Sequence, residues 1–240
     1  VGCQMNKSDS ERLATGLEEL GLQENSDLES SDVIVLNTCV VRQSAEDTAT
    51  GLLGKLKKIK RVKPEVVVAV MGCMVGPTSK TLSRRFPHVD AWARPQEFEK
   101  ILEPVSQFVD NDISGCAPVL VPDKPKVATF IPIIHGCDKF CSFCIIPKLR
   151  GDQRSRSIES IVAEARKLSQ QGVKELILIS QITTNYGIDI YGEPSLPKLL
   201  RALGEVDIPW IRVHYAYPTG LTRDVLAAFR DVPNVLPYLD

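Results

Sequence analysis

The chain reads as an α/β protein in two successive parts: an open parallel αβα sheet, then the first half of a parallel β/α barrel. Three observations predict this. Apolar runs of strand length alternate along the chain with segments of helical periodicity. The run at 66–71 is apolar throughout, as expected for a strand buried on both faces. A stretch rich in Pro and small polar residues then separates two such alternating parts.

In residues 1–108, Ser8 and Glu11 form a capping box ahead of an apolar stripe at Leu13, Leu17 and Leu20, which ends at Gly21. Residues 33–37 read as a buried strand. Ser44 is placed to cap a helix through Leu52, Leu53 and Leu56. A second strand covers 66–71, and Phe98, Ile101 and Leu102 suit a closing helix. Residues 109–126, with Asn111-Asp112, Ser114-Gly115 and prolines at 118, 122 and 125, read as a linker in which Cys116 is an incidental thiol. Residues 127–240 resume the alternation. A strand at 130–134 leads into a cysteine-rich loop, and Ser157 caps a helix with Ile161, Val162, Ala165 and Leu168. A strand at 175–180, a helix at 196–203, a strand at 210–217, a helix at 225–229 and a fourth strand at 235–239 follow. Half a barrel leaves a strand edge open, and Val stands first instead of Met, so the chain is expected to be a fragment cut at both ends.

Composition bounds the function classes. With 43% hydrophobic and 25% charged residues the chain is of ordinary globular composition. Its net charge of −1 provides no global field for nucleic acid, so any such contact must come from local patches. One such patch is the run Lys55, Lys57, Lys58, Lys60, Arg61 and Lys63, which can serve phosphate contacts or be a solvated helix face. No apolar run is long enough to span a bilayer. Seven cysteines, an odd number, with no leader-like segment, speak for a reducing cytoplasmic setting and for metal binding over disulfides.

The cysteines carry the chemistry. Cys137, Cys141 and Cys144 fall in a C-x3-C-x2-C run. Thiolates are soft ligands suited to iron–sulfur clusters, zinc or copper(I). Three of them can hold three corners of a [4Fe–4S] cube and leave one iron open, since no fourth Cys and no close downstream His follows. A zinc knuckle with a distant ligand, or three unrelated thiols, are the alternatives. Cys39 and Cys73 each come just after a strand, and Cys3 opens the loop before the first helix. Ligands gather at the carboxyl ends of strands in an open parallel sheet, so these three can converge on a second cluster. Taken singly, each is equally a small buried hydrophobe.

With both sets placed, the chain resembles the methylthiotransferases of the radical S-adenosylmethionine (SAM) superfamily over nearly its whole length. The marks are Gly2-Cys3-Gln4-Met5-Asn6 with Ser8-Asp9-Ser10-Glu11, then Asn37-Thr38-Cys39-Val40-Val41-Arg42, then Gly72-Cys73-Met74. The Cys137 loop with Phe143, then Pro147, Arg150-Gly151 and Arg154-Ser155-Arg156 complete them. The resemblance implies two [4Fe–4S] clusters. Cys137, Cys141 and Cys144 would hold the one whose open iron chelates SAM and whose electron cleaves it to a 5′-deoxyadenosyl radical. Cys3, Cys39 and Cys73 would hold an auxiliary cluster that carries the sulfur to be inserted. It further implies cofactor contacts from Phe143, Gln181, Arg154 and Arg156, with Arg150 beside them, and an electron donor such as flavodoxin or ferredoxin. A C–H bond with no acidic proton gives a general base nothing to do, which is why such chemistry needs a radical cofactor.

The family has a branch acting on an isopentenylated adenosine in tRNA and one acting on an aspartate of a small-subunit ribosomal protein. The Cys3 and Cys39 motifs look like the tRNA branch, whereas Gln181-Ile182-Thr183-Thr184-Asn185-Tyr186-Gly187-Ile188-Asp189 looks like the ribosomal-protein branch. Ile182 departs from both, which place Asn or Asp there. Because the auxiliary-cluster side faces the substrate, the first half is given more weight, and tRNA is the expected substrate. A different radical SAM reaction, or a zinc or ferredoxin-like binding module, are the readings outside this function.

Overall fold

The computed structural model describes residues 2–76, 79–110, 121–122 and 126–240. Most of residues 109–126, read above as a linker and including Cys116 and Pro118, lie outside these described residues. The chain divides into two compact units: Val1–Pro122 with Lys148–Arg150, and Asp123–Pro147 with Gly151–Asp240.

The first unit is a three-stranded parallel sheet flanked by helices. It runs α1 (Gln4–Glu19), β1 (Val33–Thr38), α2 (Gln43–Val62), β2 (Val67–Gly72), α3 (Lys80–Arg85), β3 (Ala91–Ala93) and α4 (Glu99–Val109), with strand order β1-β2-β3. Alternation along β2 divides the core. Val67, Ala69 and Met71 pack with Leu13 of α1, Leu20 just after it, and Ile101, Leu102 and Val105 of α4. Val68 and Val70 pack with Leu53 and Leu56 of α2 and with Phe86 and Val89. The expected two-sided αβα sheet is what forms.

Three details differ from expectation. Helix α1 starts one turn before the Ser8 box, because the Cys3 carbonyl already accepts the Lys7 N–H at 3.1 Å, and Ser8 is buried inside the helix. The N-cap of α2 is Arg42 with no side-chain cap, which places Ser44 within the helix, its carbonyl bonded to the Thr48 hydroxyl. The third strand, β3, is too short for a periodic signal, yet it pairs Ala69 with Ala91 and Met71 with Ala93.

The second unit is built on a parallel sheet of β4 (Ala128–Pro132), β7 (Glu175–Ile179) and β8 (Trp210–Val213) in the order β4-β7-β8. Two residues each from β5 (Ile134–His135) and β6 (Arg154–Ser155) make a separate antiparallel pair. Helices α6 (Ile158–Gln170) and α8 (Leu196–Gly204) connect the parallel strands, with the short α5 (Ile146–Arg150) and α7 (Ile188–Tyr191) in the loops and α9 (Arg223–Asp231) after β8. Ser157 caps α6 as expected, accepting from the Ser160 N–H at 3.2 Å.

The strand expected at 130–134 is two pieces. Pro132, which has no N–H to donate, ends β4, and the chain turns after Ile133 to pair Ile134 with Ser155. The strand expected to reach 217 stops at Val213, because Tyr215 adopts φ +60° and gives its N–H to Asp240 Oδ1 at 2.7 Å. At 235–239 only Val235 bridges to Ile211. Pro237 then interrupts the ladder.

Candidate metal and cofactor sites

Register brings the first cysteine trio together. Strands β1 and β2 pair Thr38 with Gly72, so Cys39 and Cys73 leave the sheet side by side. The Cys73 N–H donates to the Thr38 carbonyl at 2.9 Å, and the Thr38 hydroxyl donates to the Met71 carbonyl at 2.7 Å while accepting from the Met74 N–H. Gly72 has φ +101°, and a Cβ there would run into the Thr38 carbonyl, so only glycine allows this approach. Cys3 is the N-cap of α1 and is tied in through Asn6. Its thiol donates to Asn6 Oδ1 at 3.2 Å, and Asn6 Nδ2 donates to Asn37 Oδ1 and the Thr38 carbonyl, both at 2.8 Å. Cys39 and Cys73 are buried and Cys3 is exposed. Burial pushes the Cys73 thiol up, the Arg150 guanidinium opposes that, and charge on Cys39 and Cys3 adds to the rise. Cys39 and Cys3 are thus both within electrostatic reach of Cys73.

The second trio sits on the loop that opens from β5. Gly136 has φ +72° and lies against the Asp152 and Gly151 carbonyls, where a Cβ would collide. The loop base is closed by the Cys137 N–H on the Gly151 carbonyl at 3.1 Å and the Gln153 N–H on Asp138 Oδ1 at 2.8 Å. A turn joins the Cys144 N–H to the Cys141 carbonyl at 2.9 Å. Burial pushes the Cys137 thiol up, the Lys139 N–H lowers it, and charge on Cys144, Cys141 and Asp138 raises it further. Phe143 is 91% exposed, beside the exposed Phe140.

All six of these cysteines are free. Among the described residues no three His, Cys, Asp or Glu side chains are grouped to hold a single metal ion. Three thiolates on one zinc at about 2.3 Å must converge on one point, whereas thiolates on separate irons of a cube need not. All-sulfur donors, with charge felt among the thiols within each trio, suit an iron–sulfur cluster.

At the carboxyl end of β7, Ser180 Oγ, Gln181 Oε1 and Thr183 Oγ1 are buried without hydrogen-bond partners. Buried polar groups left unsatisfied are costly, so these atoms are open to a polar ligand. Arg154, in β6, is exposed. Arg156 is different. Its guanidinium meets Glu164 at 2.6 Å, the Ser160 hydroxyl at 2.9 Å and the Pro132 carbonyl at 3.2 Å, so these N–H groups tie α6 to β4. Arg150, expected beside these residues, belongs to the first unit, where it meets Asp9.

Two separate comparisons bear on the identity. Residues 1–94 match the family described as uncharacterized protein family UPF0004, and residues 131–240 match the Radical SAM superfamily. The chain is 47% identical over 251 residues to the ribosomal protein uS12 methylthiotransferase RimO of Microcystis aeruginosa (strain NIES-843), covering all of this chain and 56% of that protein. It is 48% identical over 254 residues to the protein of the same name from Synechococcus sp. (strain CC9902), of which it covers 53%. Over its whole length the chain resembles the radical SAM methylthiotransferases.

It spans about half the length of the curated relatives it matches. The superfamily's chemistry rests on an iron–sulfur cluster and SAM. The solved radical SAM methyltransferase TsrM of Kitasatospora setae shares the fold, with a TM-score of 0.63 at 13% identity over 95% of this chain and 56% of that one. Within the methylthiotransferases, the relatives correct the expected substrate. Proteins 46% to 48% identical carry the ribosomal-protein name, not a tRNA one. The motifs at Cys3 and Cys39, weighted toward tRNA, contain the hydrogen bonds that gather the first trio. In the basic run, Lys60 pairs with Asp90 at 2.8 Å and Lys63 with Asp32 at 2.7 Å. Lys55, Lys57, Lys58 and Arg61 are the exposed remainder. Among the described residues no helix is long and apolar enough to cross a membrane.

Proposed function

We propose that this chain forms the cluster-bearing part of a methylthiotransferase acting on an aspartate of the small-subunit ribosomal protein uS12. The observation that carries it is the pair of three-cysteine groups, each gathered within its own unit, in a chain nearly half identical to proteins of that name. Cys137, Cys141 and Cys144 hold a [4Fe–4S] cluster that binds SAM, and Cys3, Cys39 and Cys73 hold a second. Bound together, clusters and SAM supply the radical and the sulfur that the side chains of this protein cannot.

The residues of the chain do the positioning. Gly136 lets the Cys137 loop lie against 151–152, which fixes where Cys137 leaves the β5–β6 pair. Ser180, Gln181 and Thr183 offer buried, unpaired polar atoms for the polar groups of SAM. Exposed Phe143 and Phe140 provide apolar surface on the loop for excluding water once ligand is bound. Arg154 is free of a defined partner role in the fold and can meet a carboxylate. A cytoplasmic flavodoxin or ferredoxin is the electron donor.

The test uses the full-length protein, reconstituted anaerobically with iron and sulfide and supplied with SAM and reductant. Peptide mass spectrometry of uS12 should show a methylthio group on one aspartate. Cys39→Ala should abolish that product while 5′-deoxyadenosine still forms, and Cys141→Ala should abolish both. Formation of the product in either variant contradicts the assignment of that trio.

A further inference from the structure

One charged side chain in the first unit is not explained by packing alone. Arg150 ends α5, and its side chain is 2% exposed. Its Nη2 lies 3.5 Å from Asp9 Oδ2, and Asp9 is itself buried on α1. Arg94 Nη2 donates to the Leu149 carbonyl at 3.0 Å, which fixes the backbone that presents Arg150. The guanidinium lies within hydrogen-bonding and charge reach of Cys73, and within charge reach of Cys3. Yet Arg150 Nη1 is buried with no hydrogen-bond partner. A fully buried guanidinium with an idle donor beside a cysteine trio is a donor awaiting an acceptor, because an arginine cannot shed its proton to relieve the cost.

We propose that Arg150 is a positioning residue of the cluster held by Cys3, Cys39 and Cys73, its spare N–H donating to a sulfur and its fixed positive charge raising that cluster's reduction potential. Hydrogen bonds to cluster sulfurs and local charge are the two protein levers on such potentials. Asp9 holds the guanidinium at the correct height and limits the excess charge. The proposal rests on the assignment of that trio to a cluster.

The test uses full-length protein in which Cys137, Cys141 and Cys144 are all Ala, so that only the first-unit cluster can load. Iron and acid-labile sulfide are counted first. A protein with no cluster defeats the assignment of the trio, and the proposal with it. With the cluster present, its midpoint is measured by potentiometric titration followed by electron paramagnetic resonance. Arg150→Gln should lower the equilibrium constant for reduction about tenfold, or about 59 mV for one electron, at unchanged iron content. Arg150→Lys keeps the charge but loses the fork, and should fall between the two. Equal midpoints in loaded parent and Gln proteins overturn the proposal and leave the trio's assignment standing. If the Gln protein does not load, the Lys protein decides, and a midpoint equal to the parent's overturns it.

Discussion

Asn6 and Asn37 hold each other from both ends. Asn6 Nδ2 donates to Asn37 Oδ1 at 2.8 Å, and Asn37 Nδ2 returns to the Asn6 carbonyl at 2.7 Å and to the Ser10 hydroxyl at 2.9 Å. This couples the start of α1 to the end of β1, and so Cys3 to Cys39. Asn6→Ala leaves the buried Thr38 carbonyl and the Asn37 amide short of partners. It should cost about 1–3 kcal/mol in denaturant unfolding and lower iron bound by the first trio. Unchanged stability and iron would show that the pair does not organise this end of the sheet.

Gly136→Ala should disable the second trio selectively. A side chain at φ +72° costs about 1–2 kcal/mol by itself, and the Asp152 carbonyl blocks the only space for it. Iron content should fall to about half as one of two cubes is lost, with 5′-deoxyadenosine formation gone. Full iron loading in the variant contradicts the role given to this glycine.

The Arg156–Glu164 pair makes a stability claim. Glu164 is 1% and Arg156 13% exposed in the side chain. Glu164→Ala strands a largely buried guanidinium and should destabilise by about 3–5 kcal/mol, with no SAM present. Replacing both residues by apolar ones of similar volume should recover much of that loss. A small effect that appears only with SAM bound would return Arg156 to the cofactor site.

Asp189 gives a pH dependence. Burial pushes its carboxyl up, but the hydroxyl and N–H of Ser155 and the amide of Gln153 outweigh that and hold it below its ordinary value of 3.8. With a depressed folded value, its contribution is present above 3.8 and is lost as pH falls through the lower folded value. The parent should therefore be more stable than Asp189→Asn at neutral pH, and the gap should close only in strongly acid solution. A gap that widens on acidification contradicts this sign.

Much of this was legible in the sequence because both cysteine trios obey local rules. Cys39 and Cys73 follow strands whose apolar runs are unmistakable, and Cys137, Cys141 and Cys144 are neighbours along the chain. What escaped depends on distance. Arg150 meets Asp9 across 141 residues of sequence, and nothing near either residue announces the partner. The pairing of Arg156 with Glu164 was equally hidden, because nearness to the Cys137 loop in sequence says nothing of Glu164. The strand ends failed where single residues decide, at Pro132, Tyr215 and Pro237. The substrate was misjudged because the motifs around Cys3 and Cys39, whose Asn6 and Asn37 bond to each other, were asked to report on a substrate.

The most direct measurement of the central claim puts both substrates in one vessel. Reconstituted full-length protein with SAM and reductant is incubated with uS12 and isopentenylated tRNA together, and peptides and nucleosides are analysed by mass spectrometry. The account predicts a methylthio group on a uS12 aspartate and unmodified adenosine. A methylthio group on the adenosine, with uS12 untouched, would contradict it.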